Sequence, residues 1–269
     1  MSKDSFQLAG SAATIYEEQK VPAIFAPLAE ATLDRIPLRE GEDVLDVACG
    51  TGVLARKARE RYGNLGRVIG ADLNAGMIET AQSLTDQHSK ACEWHVADAS
   101  DMPFVDHSFA AIFCQQGLQF FPDEDAALSE MKRLLRPGGK IALSIWSKPP
   151  ALFAALATAL ERYINEAIGK QSLAPFGYQG RETLLTRLTA LGFIDTDRQE
   201  FAVDRVIHDP HNAIPKEIAA NPVGPAVAKA GEETVRKITE DVLDEVSQFL
   251  SGDTLILPQY THLYIANVR

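Results

Sequence analysis

The densest concentration of chemistry in this 269-residue chain is VLDVACGTGVLA, residues 44–55. An apolar run short enough to be a buried strand passes directly into a glycine-rich turn, and a helical pattern follows. Gly50 and Gly52 let the backbone come close to a ligand, because no Cβ stands in the way. The helix start at Val53 offers free N–H groups to an anionic part of that ligand. Gly50-Thr51-Gly52-Val53-Leu54-Ala55 satisfies the dinucleotide pattern G-x-G-x-x-A, a weak signal by itself that keeps a nicotinamide dinucleotide in consideration. Asp46 argues the other way. A carboxylate at the strand end, ahead of the glycines, repels a pyrophosphate and attracts a ligand that carries an ammonium or a sulfonium. Its alternative role is to accept hydrogen bonds from the backbone of the loop.

The elements around this loop repeat a pattern. After an N-terminal helical region, residues 11–35, strands are expected in EDVLDVACG, RVIGADL, CEWHVADA, SFAAIFCQ and KIALSIW. Helices are expected in VLARKARERY, AGMIETAQSLTDQ and DEDAALSEMKRLLR. The turn RPGG ends the last of these helices, with Gly138 or Gly139 taking positive φ. Alternating β and α elements with apolar strands predict an α/β fold with a parallel sheet covered on both faces; the full expectation, with the resemblance given below, is a doubly wound, Rossmann-like, mostly parallel sheet of about seven strands with the last antiparallel. Glycine loops of such sheets lie at the carboxyl ends of the strands, where ligands bind.

Residues 40–146 resemble the class I S-adenosylmethionine (SAM)-dependent methyltransferases, of the broad group that includes small-molecule and quinone methyltransferases. The resemblance rests on five ordered blocks: VLDVACGTG, RVIGADLNAGMI, ADASDMPF, FCQQGLQFFPD and MKRLLRPGGKIALSIW. Ala48 stands where the first block often has a glycine. The resemblance implies SAM as cofactor and a role for each matching residue. Asp46, Ala48, Gly50 and Gly52 would belong to the cofactor-binding loop. Asp72 would accept hydrogen bonds from both ribose hydroxyls, with its charge strengthening each. Leu73 and Met77 would flank the adenine, although Met77 serves equally well as a core residue. Asp98 would receive the adenine amino group and Ala99 would supply a backbone N–H. Gln115 would turn its backbone carbonyl toward the methionine amino group. Gln116 would face the substrate side or cap its strand.

The second half reads as caps inserted in a single domain: 147–192 and 207–251, helical, with a strand at FIDTDRQEFAVDRV and a closing strand TLILPQYTHLYIANV broken or bulged at Pro258. Leu152, Leu156, Leu160 and Ile164 share one helix face, as do Val235, Ile238, Val242 and Val246. Tyr16, Phe25, Phe120, Phe121, Phe153, Phe176 and Tyr178 suit a flat apolar acceptor, or pack as core. Asn221-Pro222-Val223-Gly224-Pro225 reads as a gate or a rigid loop.

The net charge of −11 disfavours phosphate backbones and anionic membranes. The cationic group Lys132, Arg133 and Arg136 reads as a solvated helix face. The fourth-strand block, Cys114-Gln115-Gln116-Gly117, lacks the Asn/Asp-Pro-Pro-aromatic loop of enzymes that methylate base amino groups; Lys148-Pro149-Pro150 follows a different strand. A small-molecule acceptor is therefore expected, with no nucleic acid and no membrane, and the oligomeric state is left open, a homodimer included. Cys49, Cys92 and Cys114 show no paired spacing, and no metal site is expected; His208 and His211 lack further ligands nearby. The opening MSKDSFQLAG lacks a signal-peptide pattern, so a cytoplasmic location is expected. No catalytic residue stands out among His88, His95, His107, His208, His211 and His262. The competing readings are an NAD(P)-dependent oxidoreductase and a non-catalytic SAM-binding protein.

Overall fold

The computed structural model describes residues 11–86, 92–221 and 223–269. MSKDSFQLAG, His88 and Pro222 of the proposed gate lie outside these residues. Eight strands form one sheet: β1 (Val44–Val47), β2 (Val68–Asp72), β3 (Glu93–Val96), β4 (Phe109–Gln115), β5 (Leu135–Trp146), β6 (Ile194–His208), β7 (Leu250–Ser251) and β8 (Thr254–Asn267). Their order is β3-β2-β1-β4-β5-β8-β6, with β7 paired to β8. β1 pairs in parallel with β2 and β4, β2 with β3, and β4 with β5. β8 runs antiparallel to β5, since Gly138 bonds Val268 while Ser147 bonds Tyr260. It also runs antiparallel to β6, since Asn267 reaches Asp195 while His208 reaches Thr254. The expected doubly wound sheet with an antiparallel end is therefore present.

Contacts divide the chain into two compact units. Unit 1 comprises residues up to Ile145, with Gly180–Phe201 and His262–Arg269. Its helices are α1 (Ser11–Ile15), α2 (Ala26–Arg35), α3 (Val53–Arg61), α4 (Ala75–Asp86), α5 (Glu124–Leu134) and α8 (Leu184–Ala190), with π-helical turns over Tyr16–Phe25 between α1 and α2. One core face joins Leu33, Ile36, Val44, Leu54, Ala58, Val68, Phe113 and Leu263. Each large apolar side chain removed from water there contributes roughly 1.5–3 kcal/mol. Unit 2 comprises Trp146–Gln179 and Ala202–Thr261. It holds α6 (Ala151–Tyr163), α7 (Glu166–Ser172), α9 (Pro210–Ala219), α10 (Gly224–Lys229) and α11 (Glu232–Glu245).

Several local expectations change. Residues Gly180–Phe201 group with unit 1, and α8 is fastened to α5: Arg187 pairs with Glu124 and Asp125, and Lys132 Nζ donates to Leu191 O at 2.7 Å. The long helix expected after Pro150 splits, because Asn165 accepts from Ile168 N–H and caps a new helix. β5 begins at Leu135 and runs through RPGG, with Gly138 at φ +75°. β8 continues through Pro258 without interruption.

Lys132, Arg133 and Arg136 are not a solvated face. Arg133 joins Glu130 and Asp106 and donates to the carbonyl oxygens of Phe104 and Met102, and Arg136 pairs with Glu42. Glu130, one turn back on α5, is a local partner of Arg133, but the carbonyl oxygens of Met102, Phe104 and Leu191 and the carboxylates of Asp106 and Glu42 come from other segments, and no local pattern encodes those.

Candidate cofactor site at the carboxyl ends of the parallel strands

The parallel register aligns Val47 with Ala71, Asp72 with Val96, and Asp46 with Phe113, so the carboxyl ends of four strands lie side by side. Asp46, Asp72, Asp98 and Gln115 all stand on or just after these ends, as sequence reasoning expected. Cys49 N–H donates to Ala71 O at 3.1 Å and Gly50 N–H donates to Asp72 Oδ2 at 2.8 Å. The glycine loop is thus tied directly to the end of β2. Asp72 Oδ1 accepts from Asn74 N–H at 2.8 Å, and Asn74 in turn caps α4 through Gly76 N–H at 3.0 Å. These two backbone bonds fix the Asp72 carboxylate, which has acceptor capacity left for hydroxyl donors.

Asp46 is the most telling group. It is 1% exposed, its Oδ2 accepts from Ala55 N–H in α3 at 3.3 Å, and its Oδ1 has no hydrogen-bond partner. Burial first, with the nearby Asp72 charge adding to it, pushes its pKa up to about 8, against the Ala55 bond. Burial also raises Asp72, against the bonds from Asn74 and Gly50. Thr51 Oγ1 and Gln115 Oε1 are further buried oxygens without a partner. Two carboxyl groups and two spare oxygen acceptors at adjacent strand ends fit a cationic ligand and disfavour a diphosphate.

The loop glycines divide their work. Gly50 (φ +56°) leaves space toward the Tyr16 ring: a Cβ there would lie 3.9 Å from it, an ordinary contact distance. At Gly52 (φ +82°) the direction a Cβ would take is filled by a side chain. A Cβ there would sit 2.1 Å from the Trp94 indole, which also fills the space beside Gly70. The sequence assigned both glycines to ligand approach, whereas Gly52 accommodates a ring from β3. Ala48 takes φ +55°, the conformation that makes a glycine common there, and its Cβ presses toward Gly117.

Leu73 is 45% exposed directly after Asp72, an apolar side chain left uncovered at the strand end, whereas Met77 is buried. Asp98 is half-buried and its Oδ1 accepts from Ser100 N–H and Oγ at 3.0 and 2.7 Å, and half-buried Ala99 follows. Gln115 Nε2 donates to Phe25 O at 3.2 Å, and Phe25 stacks on Tyr16 with ring centroids 5.3 Å apart. The turns at 16–25 therefore lie beside the loop, further held by Glu17 to Arg56 of α3 at 2.7 Å. Sequence reasoning offered Tyr16 and Phe25 to an acceptor or to core packing; the structure stacks them on each other, with Phe25 O bonded to Gln115 and Tyr16 near Gly50. Gln116 (φ +58°) is buried, and its N–H donates to Ser144 O, closing the strand.

The histidines are largely engaged elsewhere. His107 Nδ1 lies 3.0 Å from Leu135 O, His208 Nδ1 3.1 Å from Thr254 Oγ1, and His95 packs edge-on against Phe104. His262 lies 3.4 Å from Glu200, and burial lowers its pKa. Among the described residues no cluster of metal-ligating side chains occurs, and no helix is long and apolar enough to cross a membrane.

A sheet of this order, with an acid-flanked glycine loop and acids at or after the ends of its second and third strands, is the fold of class I SAM-dependent methyltransferases. Residues 44–139 match the family described as methyltransferase domain, and the chain carries such a domain there. A ubiquinone/menaquinone biosynthesis C-methyltransferase UbiE of Hahella chejuensis is 40% identical over 120 residues, 44% of this chain and 48% of the relative. A 2-phytyl-1,4-naphtoquinone methyltransferase of Thermosynechococcus vestitus is 38% identical over 120 residues, 45% of this chain and 53% of the relative. The chain thus matches about half the length of these curated relatives. A solved Haemonchus contortus phosphoethanolamine N-methyltransferase 2, holding phosphomonomethylethanolamine and S-adenosylhomocysteine, superposes with a TM-score of 0.62. That match has 20% identity and covers 96% of this chain and 57% of the other, so the likeness is one of fold.

Proposed function

We propose that this chain transfers the methyl group of SAM to O, N or C of a small-molecule acceptor, and that unit 2 selects the acceptor. The observation that carries the reading is Asp46: a buried carboxyl with an unpartnered oxygen and a second carboxyl nearby, both raised in pKa in the absence of a cation. SAM, when bound, supplies a methyl group activated by a positively charged sulfonium.

The residues of the chain hold and align. Asp46 takes the ionised form as a cation approaches, because opposite charge lowers its pKa. Asp72, already oriented by Gly50 and Asn74, receives the ribose hydroxyls. Leu73 gives the adenine an apolar surface, and Asp98 and Ala99 take its polar edge. Tyr16 and Phe25 limit water at the loop. Much of the rate then comes from alignment, which in favourable cases contributes about 7–11 kcal/mol; a phenol or enol acceptor must in addition give its proton to a base.

The curated relatives act on quinones by name, which supports an aromatic acceptor. Incubation with methyl-labelled SAM and a panel of hydroxyaromatic, quinol and amine acceptors tests the reading. Label in an acceptor and S-adenosylhomocysteine as co-product are expected. SAM binding with transfer to no acceptor would favour a non-catalytic SAM-binding protein, and binding of NADH instead of SAM would favour an oxidoreductase.

A further inference from the structure

Trp94 on β3 is one of two tryptophans in the chain, and the six-membered part of its indole fills the space beside two residues that have no side chain. A Cβ would lie 2.1 Å from that ring at Gly52, in the glycine loop, and 2.3 Å from it at Gly70, on β2. Gly70 stands inside a strand and is not among the glycines at positive φ, so the ring, not the backbone, accounts for the missing side chain. Cys49 Sγ of the loop borders the same space, 2.9 Å from where a Gly70 Cβ would be. The other end of the indole is tied down: Nε1 donates to Thr85 Oγ1 on α4 at 3.0 Å, and Thr85 Oγ1 donates to Ala81 O at 2.9 Å.

Gly52 joins the loop to α3. Its N–H donates to Cys49 O at 2.9 Å, closing the turn, and its carbonyl accepts from Arg56 N–H at 2.9 Å, opening the helix. Its φ of +82° therefore sets where the N–H groups of the loop and of the first turn of α3 point. A glycine left to itself samples many conformations, and a ligand that needs one of them must supply the ordering free energy. A rigid ring pressed against Gly52 removes the alternatives before any ligand arrives.

We propose that Trp94 is a positioning residue for the cofactor: its indole, anchored by Thr85, wedges the glycine loop in the conformation that binds SAM. The proposal rests on the methyltransferase reading and adds a residue outside the loop that sets cofactor affinity through Gly52. Trp94 and Thr85 also line an open cavity of about 300 Å³ with Gln82, Cys92, Glu93 and His95. A small aromatic molecule can reach the place of the ring by that route once the side chain is removed.

The test is calorimetric titration of S-adenosylhomocysteine into the full chain and into Trp94→Ala, at a temperature where near-ultraviolet circular dichroism shows both folded. The variant is expected to bind about tenfold more weakly, since only a fraction of its loops holds the competent conformation. Added free indole refills the space, donates to Thr85 and should bring the affinity back to within about twofold of the wild type. Leu188→Ala, a buried truncation on α8, which is fastened to α5, lowers the melting temperature and should leave the affinity within about twofold. Trp94→Phe, whose ring is too short to reach Gly52, replaces the alanine variant if that one does not fold. Wild-type affinity in the Trp94 variant, a loss that indole does not reverse, or an equal loss in Leu188→Ala overturns the proposal. Failure of the wild type to bind S-adenosylhomocysteine would instead overturn the methyltransferase reading, so the two failures are distinguishable.

Discussion

Asp46 concentrates the energetics of the site in one carboxyl group. Folded, it keeps its proton to about pH 8; unfolded, it releases it near 3.8. The folded chain therefore binds more protons across that window, so this group's contribution to stability falls as pH rises from about 4 to about 8 and is flat above. Asp46→Asn should remove that slope and raise the melting temperature at pH 8, seen in thermal scans across pH. The same substitution should weaken SAM binding roughly 10- to 100-fold by calorimetry, because a buried charge partner is lost. In the wild type, SAM affinity should rise with pH up to about 8, since binding the cation requires the ionised carboxyl. A second residue-scale expectation concerns Ala48 and Gly117. A Cβ on Gly117 would lie 2.5 Å from Ala48 Cβ and 2.9 Å from Cys114 Sγ. Gly117→Ala should cost about 1–3 kcal/mol in denaturant unfolding. Adding Ala48→Gly should restore part of it, and strictly additive losses would show that the two sites do not touch.

At the scale of elements, the contacts that tie the π-helical turns Tyr16–Phe25 to the region of the loop include the Glu17–Arg56 pair with α3, the Gln115–Phe25 bond with β4 and the approach of Tyr16 to Gly50. The pair is only partly exposed, yet a single such bridge contributes roughly 0–1 kcal/mol. Glu17→Gln with Tyr16→Ala should thus leave global stability within about 1–2 kcal/mol. It should speed S-adenosylhomocysteine dissociation several-fold in stopped-flow displacement, and an unchanged off-rate would deny these turns a covering role. The sequence showed a helical region here without its purpose. Its contacts join residues up to 90 positions apart, between Phe25 and Gln115, and no local pattern records such a pairing. Trp94 is similar: the glycines at 52 and 70 were visible, but the indole that occupies the space beside them comes from a strand read only as apolar.

For the whole molecule, two compact units and a net charge of −11 set the expectations. A ligand that binds only the folded chain stabilises it by RT ln(1 + [L]/Kd), about 2.7 kcal/mol at a hundredfold excess over Kd. For a chain of this size that amounts to a melting shift of about 5–10 °C. S-adenosylhomocysteine should produce it and NADH should not. The reverse result would return the glycine loop to the dinucleotide reading that its pattern literally satisfies.

The order of strands and helices through Trp146, the parallel sheet and the carboxylates at its strand ends were all legible in the chain, because each depends on local periodicity or on adjacent residues. The tertiary structure decided that Trp94 fills the space beside Gly52 and which buried polar atoms, Asp46 Oδ1 among them, lack a hydrogen-bond partner. It also decided that Gln116 closes a strand and that the basic residues of α5 are fastened to carbonyl oxygens. Those outcomes depend on what distant segments bring into contact, and burial, orphaned hydrogen bonds and shifted pKa values exist only once those contacts have formed.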